Sequence, residues 1–409
     1  MKSPPLISPY FFPQKINLIN CQNLYQVLLP MVSQYAVNAQ DELSARLVAS
    51  ILDGWKHFVN DVIPSWTELL NIFVAFASSP NLSISHRTVQ ATICLAEFAN
   101  PRASPQLNEI TKGACFHLAC GILPQTVYPS QPMSIGSDDS DQFEDFRRDA
   151  RNAFRAIFRR CGADMLLTEI TKNLATELQR NVRTPVADRN HYAAWSSFES
   201  ILHALSSFAK GDLDDASLSR FAAVFQIILQ SQLFAPIKNE TGTVTQRPNA
   251  HRRLACQWCI LGGVFAKPLA QKGWQYILSL ADSILGCLLF NELDDYFQFR
   301  TKEDHAAAVS LVKVVDVLTP HQKCQMWPSL CSVYNTFLLR KTSPPTGEEE
   351  ITSNPTFALM TQAVCTCSAH IPQAPESVRE YASLIVNNLV MMIHIIVLIN
   401  NKYNKGSHT

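Results

Sequence analysis

Residues 64–101 read PSWTELLNIFVAFASSPNLSISHRTVQATICLAEFANP. Apolar side chains recur there at helical spacing, the period of a rod with one buried face and not the alternation of a strand. Pro64 and Ser65 introduce the first run, with Ser65 able to cap it, and the spacing predicts a helix over 66–77. Ser79-Pro80-Asn81 stops that helix, a second is expected over 83–98, and Asn100-Pro101 closes it. A helical hairpin is the unit that this grammar writes.

The same grammar continues in both directions. Upstream it predicts helices over 24–37 and 43–59. Downstream it predicts helices over 104–121, 143–161, 164–180, 191–210, 216–230, 250–266, 269–288, 302–318, 321–339, 352–368 and 376–399. Longer polar connections fall at 123–140, 181–190, 236–249 and 342–351. Taken in pairs, the hairpins recur every ~40–55 residues, close to the ~40–47 of HEAT and armadillo units. One hairpin has too few core positions to stand alone, so its stability must come from stacking on its neighbours. The expected fold is therefore all-α, an α-solenoid of HEAT/ARM-type hairpins over 21–399 with an acidic and polar loop at 123–142. Pro4, Pro5, Pro9 and Pro13 break up the opening stretch, so 1–20 is expected to be an extended, disordered leader, and 400–409 a polar tail.

Composition narrows the function. The chain of 409 residues is 47% hydrophobic and 17% charged, enough apolar material for a large core. Lys+Arg and Asp+Glu number 34 each, so the basic excess expected of a nucleic-acid footprint is missing. Only 13 glycines are present, and neither GxGxxG nor GxxxxGK[ST] occurs. The 12 cysteines are scattered, most in apolar runs, which reads as reduced thiols in an intracellular protein. Cys256-x-x-Cys259 is half of a zinc or redox motif without a second half, and it lies in an apolar helix. Cys365-x-Cys367 with His370 is equally isolated. His57, His86, His117 and His203 stand far apart, with no GxSxG or HExxH signature. No catalytic residue, cofactor or metal is expected, and the partners are expected to be proteins.

Residues 141–161 read DQFEDFRRDARNAFRAIFRRC, followed by Ala163-Asp164-Met165, a further helix, a loop, and WSSFESILHALSSFAKGD over 195–212. An acidic loop leading into Phe143-x-x-Phe146-Arg147 and a basic amphipathic helix, then Trp195-x-x-x-Glu199-x-x-Leu202, resembles the middle of the importin-β/karyopherin-β nuclear transport receptors, in the branch of importin-13 and transportin-3. Ile63-Pro64-Ser65-Trp66, Leu69-Leu70 and Phe98 fit the hairpins before that loop, and His251-Arg252-Arg253-Leu254-Ala255 with Gly262 fits the start of a later helix. The resemblance covers roughly 40–270. It implies a flexible right-handed solenoid that carries protein cargo through the nuclear pore, shuttling between cytoplasm and nucleus. Its partners would be cargo, nucleoporins and the GTPase Ran, whose GTP form drives cargo release by importers. Family members are much longer and open with a Ran-binding domain that this sequence does not display, so a fragment with weakened or absent Ran contact is expected. The other reading of the same fold is a HEAT scaffold bridging subunits of a signalling or phosphatase complex.

Arg147, Arg151, Arg155 and Arg159 recur every four residues along one drifting helix face, flanked by Arg148 and Arg160. Such a ridge can grip acidic cargo or Ran through bidentate guanidinium–carboxylate pairs. It can equally pair within the chain, for example with Asp138, Asp139, Asp141, Glu144 and Asp145. The acidic run has two readings of its own: a helix amino terminus complemented by carboxylates, or a mobile loop that meets a basic partner. Residues 382–399, ASLIVNNLVMMIHIIVLI, approach membrane-spanning length, but Asn387, Asn388 and His394 disfavour lipid, so a buried helix is expected over a tail anchor.

Overall fold

The computed structural model describes Pro30 and residues 42–57, 59–129, 138–185, 188, 192–210, 213–240, 244–246, 250–288, 297–341 and 355–370. Apart from Pro30, which is helical, the expected helix at 24–37 lies outside the described residues, as do the leader, the expected helix at 376–399 and the tail.

The described chain is all-α but for one small ribbon. The helices are α1 Glu42–Trp55, α2 Pro64–Ala77, α3 Leu82–Glu97, α4 Pro105–Gln125, α5 Asp138–Cys161, α6 Ala163–Thr171 and α7 Leu174–Arg183. There follow α8 Tyr192–Ser206, a 3-10 turn at Ser207–Lys210, α9 Asp215–Gln230, α10 Arg252–Gln271, α11 Ile277–Cys287, α12 Phe297–Val317, α13 Pro320–Lys341 and α14 Pro355–Ser368. β1 Ile237–Lys238 pairs antiparallel with β2 Val244–Gln246, inside the connection expected to be a plain loop.

Local chemistry starts the helices. Asn81 accepts from the Ser83 N–H at 3.0 Å, Ser104 from Leu107 at 3.2 Å and Asp214 from Ser217 at 2.8 Å. Ser65 does not cap α2: Pro64 takes the first helical position, Ile63 is the residue before it, and no side chain caps the start. Proline fits there because the first N–H of a helix is unsatisfied in any case.

Several boundaries differ from expectation; α4, for one, runs on to Gln125, inside the expected loop at 123–142, and three others are instructive. The helix predicted at 164–180 is two, α6 and α7, broken at Lys172–Asn173, where no glycine or proline marks the break. α10 runs through Pro268 to Gln271, so 269–271 belong to it and not to the next helix. Its real stop is Gly273, at φ 69°, where Gly273 N–H donates to Ala270 O at 2.9 Å and Trp274 N–H to Leu269 O at 3.1 Å. That pair of bonds satisfies the last carbonyls and needs the left-handed conformation glycine adopts freely. Finally, α5 begins at Asp138, so the acidic run forms the start of a helix and not the end of a loop.

The chain divides into two compact units, Met1–Glu169 and Ile170–Thr409. In the first, α1, α3 and α5 lie side by side in one row, and α2 and α4 form a second. In the other unit the rows are α8, α10, α12 and α14, with α11 and α13 beside them. Within the first unit each of α1 to α4 touches the next helix in sequence, and α1, α2 and α3 also touch the next but one, so their apolar stripes are shared among neighbours. The α10–α12 contact is very close. A Cβ at Gly263 would lie 2.6 Å from Cβ of Ser310 and 2.7 Å from its Cα. Nearby, Phe234 stacks on Trp258 with ring centres 4.9 Å apart, Phe221 stacks on Phe265 at 4.3 Å, and Trp258 Nε1 donates to Ser283 Oγ at 3.0 Å. The indole is thus buried without losing its hydrogen bond.

Candidate functional site

The resemblance rests most heavily on α5, and α5 is a helix divided lengthwise. Phe143, Phe146, Ala150, Ala153, Phe154, Ile157 and Cys161 are buried against α3 and α4. Spacings of three and four place them on one face. Across the helix, Asp141, Glu144, Asp145, Arg148, Asn152 and Arg159 are exposed.

The predicted arginine stripe does not stay on one side. A step of four residues turns an α-helix by 400°, so each arginine lies ~40° beyond the last, and Arg159 lies ~120° from Arg147. Arg147 is 2% exposed. Its Nη1 donates to Thr126 O at 3.1 Å, at the carboxyl end of α4. Its guanidinium lies 4.2 Å from the Tyr128 ring centre and 5.8 Å from that of Phe143. Tyr128 in turn donates to Glu144 Oε1 at 2.9 Å. A cation on the last carbonyls of α4 and over an aromatic face is well held, and it is unavailable to a partner. Arg147 therefore leaves the proposed binding ridge.

The other members are spread outward. Arg151 and Arg155 are half-buried and each engages other groups of the chain. Arg148 is exposed and pairs with Asp145 at 2.9 Å. Arg159 is exposed and lies 4.0 Å from Glu97. Arg160 Nη2 donates to Asn108 Oδ1 at 3.0 Å. Pairs this exposed contribute only ~0–1 kcal/mol each, so Arg148 and Arg159 can exchange their partners for another protein's carboxylates at little cost.

Asp138 and Asp141 are exposed in the first turns of α5, and Asp139 is helical beside them. Acids there complement the positive end of the helix, while Arg159 and Arg160 occupy the last turn, where cations are favoured. The exposed face thus runs from acidic to basic along its length. Asp149, which the sequence did not single out, ties α5 to α3. It lies 2.9 Å from His86 Nε2 and accepts from Gln90 Nε2 at 2.6 Å, both on α3. A helical offset of four between His86 and Gln90 is the available signal, but its partner on another helix is a tertiary fact.

Of the remaining motif residues the α8 set is core, whereas Cys256 is half-buried and Cys365 and Met165 are exposed. Trp195, Glu199 and Leu202 are all buried on α8. Trp195 stacks on His251 with ring centres 4.1 Å apart. Cys259 is fully buried and its thiol is pushed well above the ordinary range, first by burial and then by the neighbouring Cys287 thiol. Burial likewise pushes Cys115 up to about 12, Cys161 to about 11 and Cys367 to about 12. These are packing thiols with almost no thiolate at neutral pH. Among the described residues no group of three or more His, Cys, Asp and Glu side chains is placed to hold a metal ion, and no helix is long and apolar enough to cross a membrane. The sequence matches no known family model and no curated protein.

Proposed function

We propose that the chain is a protein-binding helical stack of the HEAT/ARM solenoid kind, acting as a nuclear transport receptor of the importin-β/karyopherin-β type. The observation that carries this is the division of α5. One side is locked into a row of helices, while the other offers Arg148 and Arg159, whose pairs are exposed and exchangeable, as a surface for an acidic protein. The rows of α1, α3 and α5 and of α8, α10, α12 and α14 support a solenoid, since shared hairpin interfaces are how such repeats gain stability. Small adjustments at many such interfaces let a surface adapt to a folded cargo. On this reading α5 contributes to the cargo-holding or Ran-holding side, nucleoporins are the route through the pore, and the protein shuttles between cytoplasm and nucleus.

The test is calorimetric titration of the full chain with Ran loaded with a non-hydrolysable GTP analogue or with GDP. The proposal expects a weak preference for the GTP form, carried by α5 and abolished by the paired substitutions R148E and R159E. Equal binding of both forms, insensitive to those substitutions, would replace the transport reading with that of a scaffold bridging subunits of a larger complex.

A further inference from the structure

Cys259 and Cys287 stand on two successive helices, α10 and α11. Two contacts fix how these helices meet. A Cβ on Gly262 would lie 2.9 Å from Leu280 Cδ1 and 3.0 Å from Ile284 Cδ1, and Trp258 Nε1 donates to Ser283 Oγ at 3.0 Å. Gly262, with no side chain, thus lets α11 come close. Cys259 lies three residues before Gly262, and Cys287 lies three residues after Ile284. Three residues are nearly one helical turn, so in an antiparallel pair both cysteines keep to the facing sides and come level one turn further along. The thiols do meet there, sharing a hydrogen bond. Their access differs. Cys259 is fully buried, and burial keeps its thiol protonated at neutral pH. Cys287 is half-buried, at the carboxyl end of α11.

We propose that Cys259 and Cys287 form a reversible disulfide when the chain meets a peroxide, Cys287 reacting first and Cys259 resolving it. The Cys287 thiolate attacks one peroxide oxygen, the O–O bond breaks, and the departing hydroxide takes up a proton and leaves as water. The Cys287 sulfur, now a sulfenic acid, has given up two electrons. The Cys259 sulfur then attacks the Cys287 sulfur and the S–O bond breaks. The Cys259 proton leaves with that hydroxide as a second water. One peroxide and two thiols thus become one disulfide and two waters. Burial keeps peroxide from Cys259, and contact with Cys287 makes its own step intramolecular, which offsets the hold on its proton. A disulfide needs Cα atoms within ~7 Å, and the close approach at Gly262, one turn away, favours that. Once formed, the bridge ties α10 to α11, and a dithiol releases it by exchange. The inference does not depend on Ran or on nuclear transport.

The experiment treats the reduced full chain with hydrogen peroxide near neutral pH, either folded or in urea. Remaining thiols are then blocked with N-ethylmaleimide, and the digested chain is mapped by mass spectrometry. In the folded chain the predominant cross-link should join Cys259 to Cys287, two hydrogens lighter than the separate peptides, and dithiothreitol should remove it. In urea that cross-link should be no commoner than one between Cys256 and Cys287, because the helices no longer hold the pair together. Cys256→Ser should keep the bridge, and Cys287→Ser should leave Cys259 reduced. Cys259 still reduced in the folded, oxidised chain, whatever the state of Cys287, would overturn the inference. So would a folded chain that joins Cys256 to Cys287 as often as Cys259. The mapping is made on the unsubstituted chain, so a variant that fails to fold does not remove the test.

Discussion

Arg147 holds its guanidinium 4.2 Å above the Tyr128 ring while donating to the Thr126 carbonyl at 3.1 Å. A residue placed by its spacing in a solvent-facing stripe is thus the cation that closes the end of α4.

Arg147→Met should therefore destabilise the fold by ~2–3 kcal/mol, the range for losing a buried charged hydrogen bond. Arg148→Met, two-thirds exposed and paired with Asp145, should stay within ~0.5 kcal/mol. Urea unfolding of both variants checks the contrast. Equal effects would mean that the buried and exposed arginines are not different in kind.

Two glycines should respond in opposite directions. Gly263→Ala places a methyl within 2.6 Å of Ser310 Cβ, with helix backbone directly behind it, and should cost ~1–3 kcal/mol. Gly113→Ala, inside α4 with nothing within 4 Å of the new methyl, should stabilise by ~0.5–1 kcal/mol. Thermal melts of the two single variants measure the difference in sign.

The buried thiols set an alkaline limit. The Cys115 thiol is raised from about 9 to about 12, mainly by burial. Below pH 9 it is protonated in both folded and unfolded chains, and its contribution is complete. Above that, the unfolded thiol ionises while the folded one keeps its proton, so the unfolded state binds fewer protons and stability falls as pH rises. The slope for one such thiol is ~1.4 kcal/mol per pH unit between the two values. Cys115→Ala should lower stability at pH 8 yet flatten its decline between pH 9 and 10.5, read from urea midpoints. At pH 8, iodoacetamide should label the exposed Cys94 and Cys365 long before Cys115 or Cys259.

The helices were legible because burial on one face imposes a period that a linear sequence displays. Phe143, Phe146, Ala150, Phe154 and Ile157 show it plainly, and all are buried. Starts were less legible: Ser104 opens its helix as expected, but Asn81, read as a stop, is the cap of α3, and Ser65, read as a cap, is not one. The stop of α10 was harder: Pro268 looks like a terminator, yet the helix runs through it to Gln271, giving up one intrahelical bond, and the decisive residue is Gly273. The site was legible only in outline. Whether an arginine on α5 meets solvent, Thr126 or Asn108 depends on which helix arrives beside it, and periodicity carries no such information.

The most direct test of the transport reading is entry into nuclei. The full chain, fused to an inert fluorescent carrier too large to diffuse through nuclear pores, is added to permeabilised cells without cytosol. The account predicts binding at the nuclear rim and accumulation inside, with the carrier alone remaining outside. A fusion excluded as completely as its carrier would contradict it.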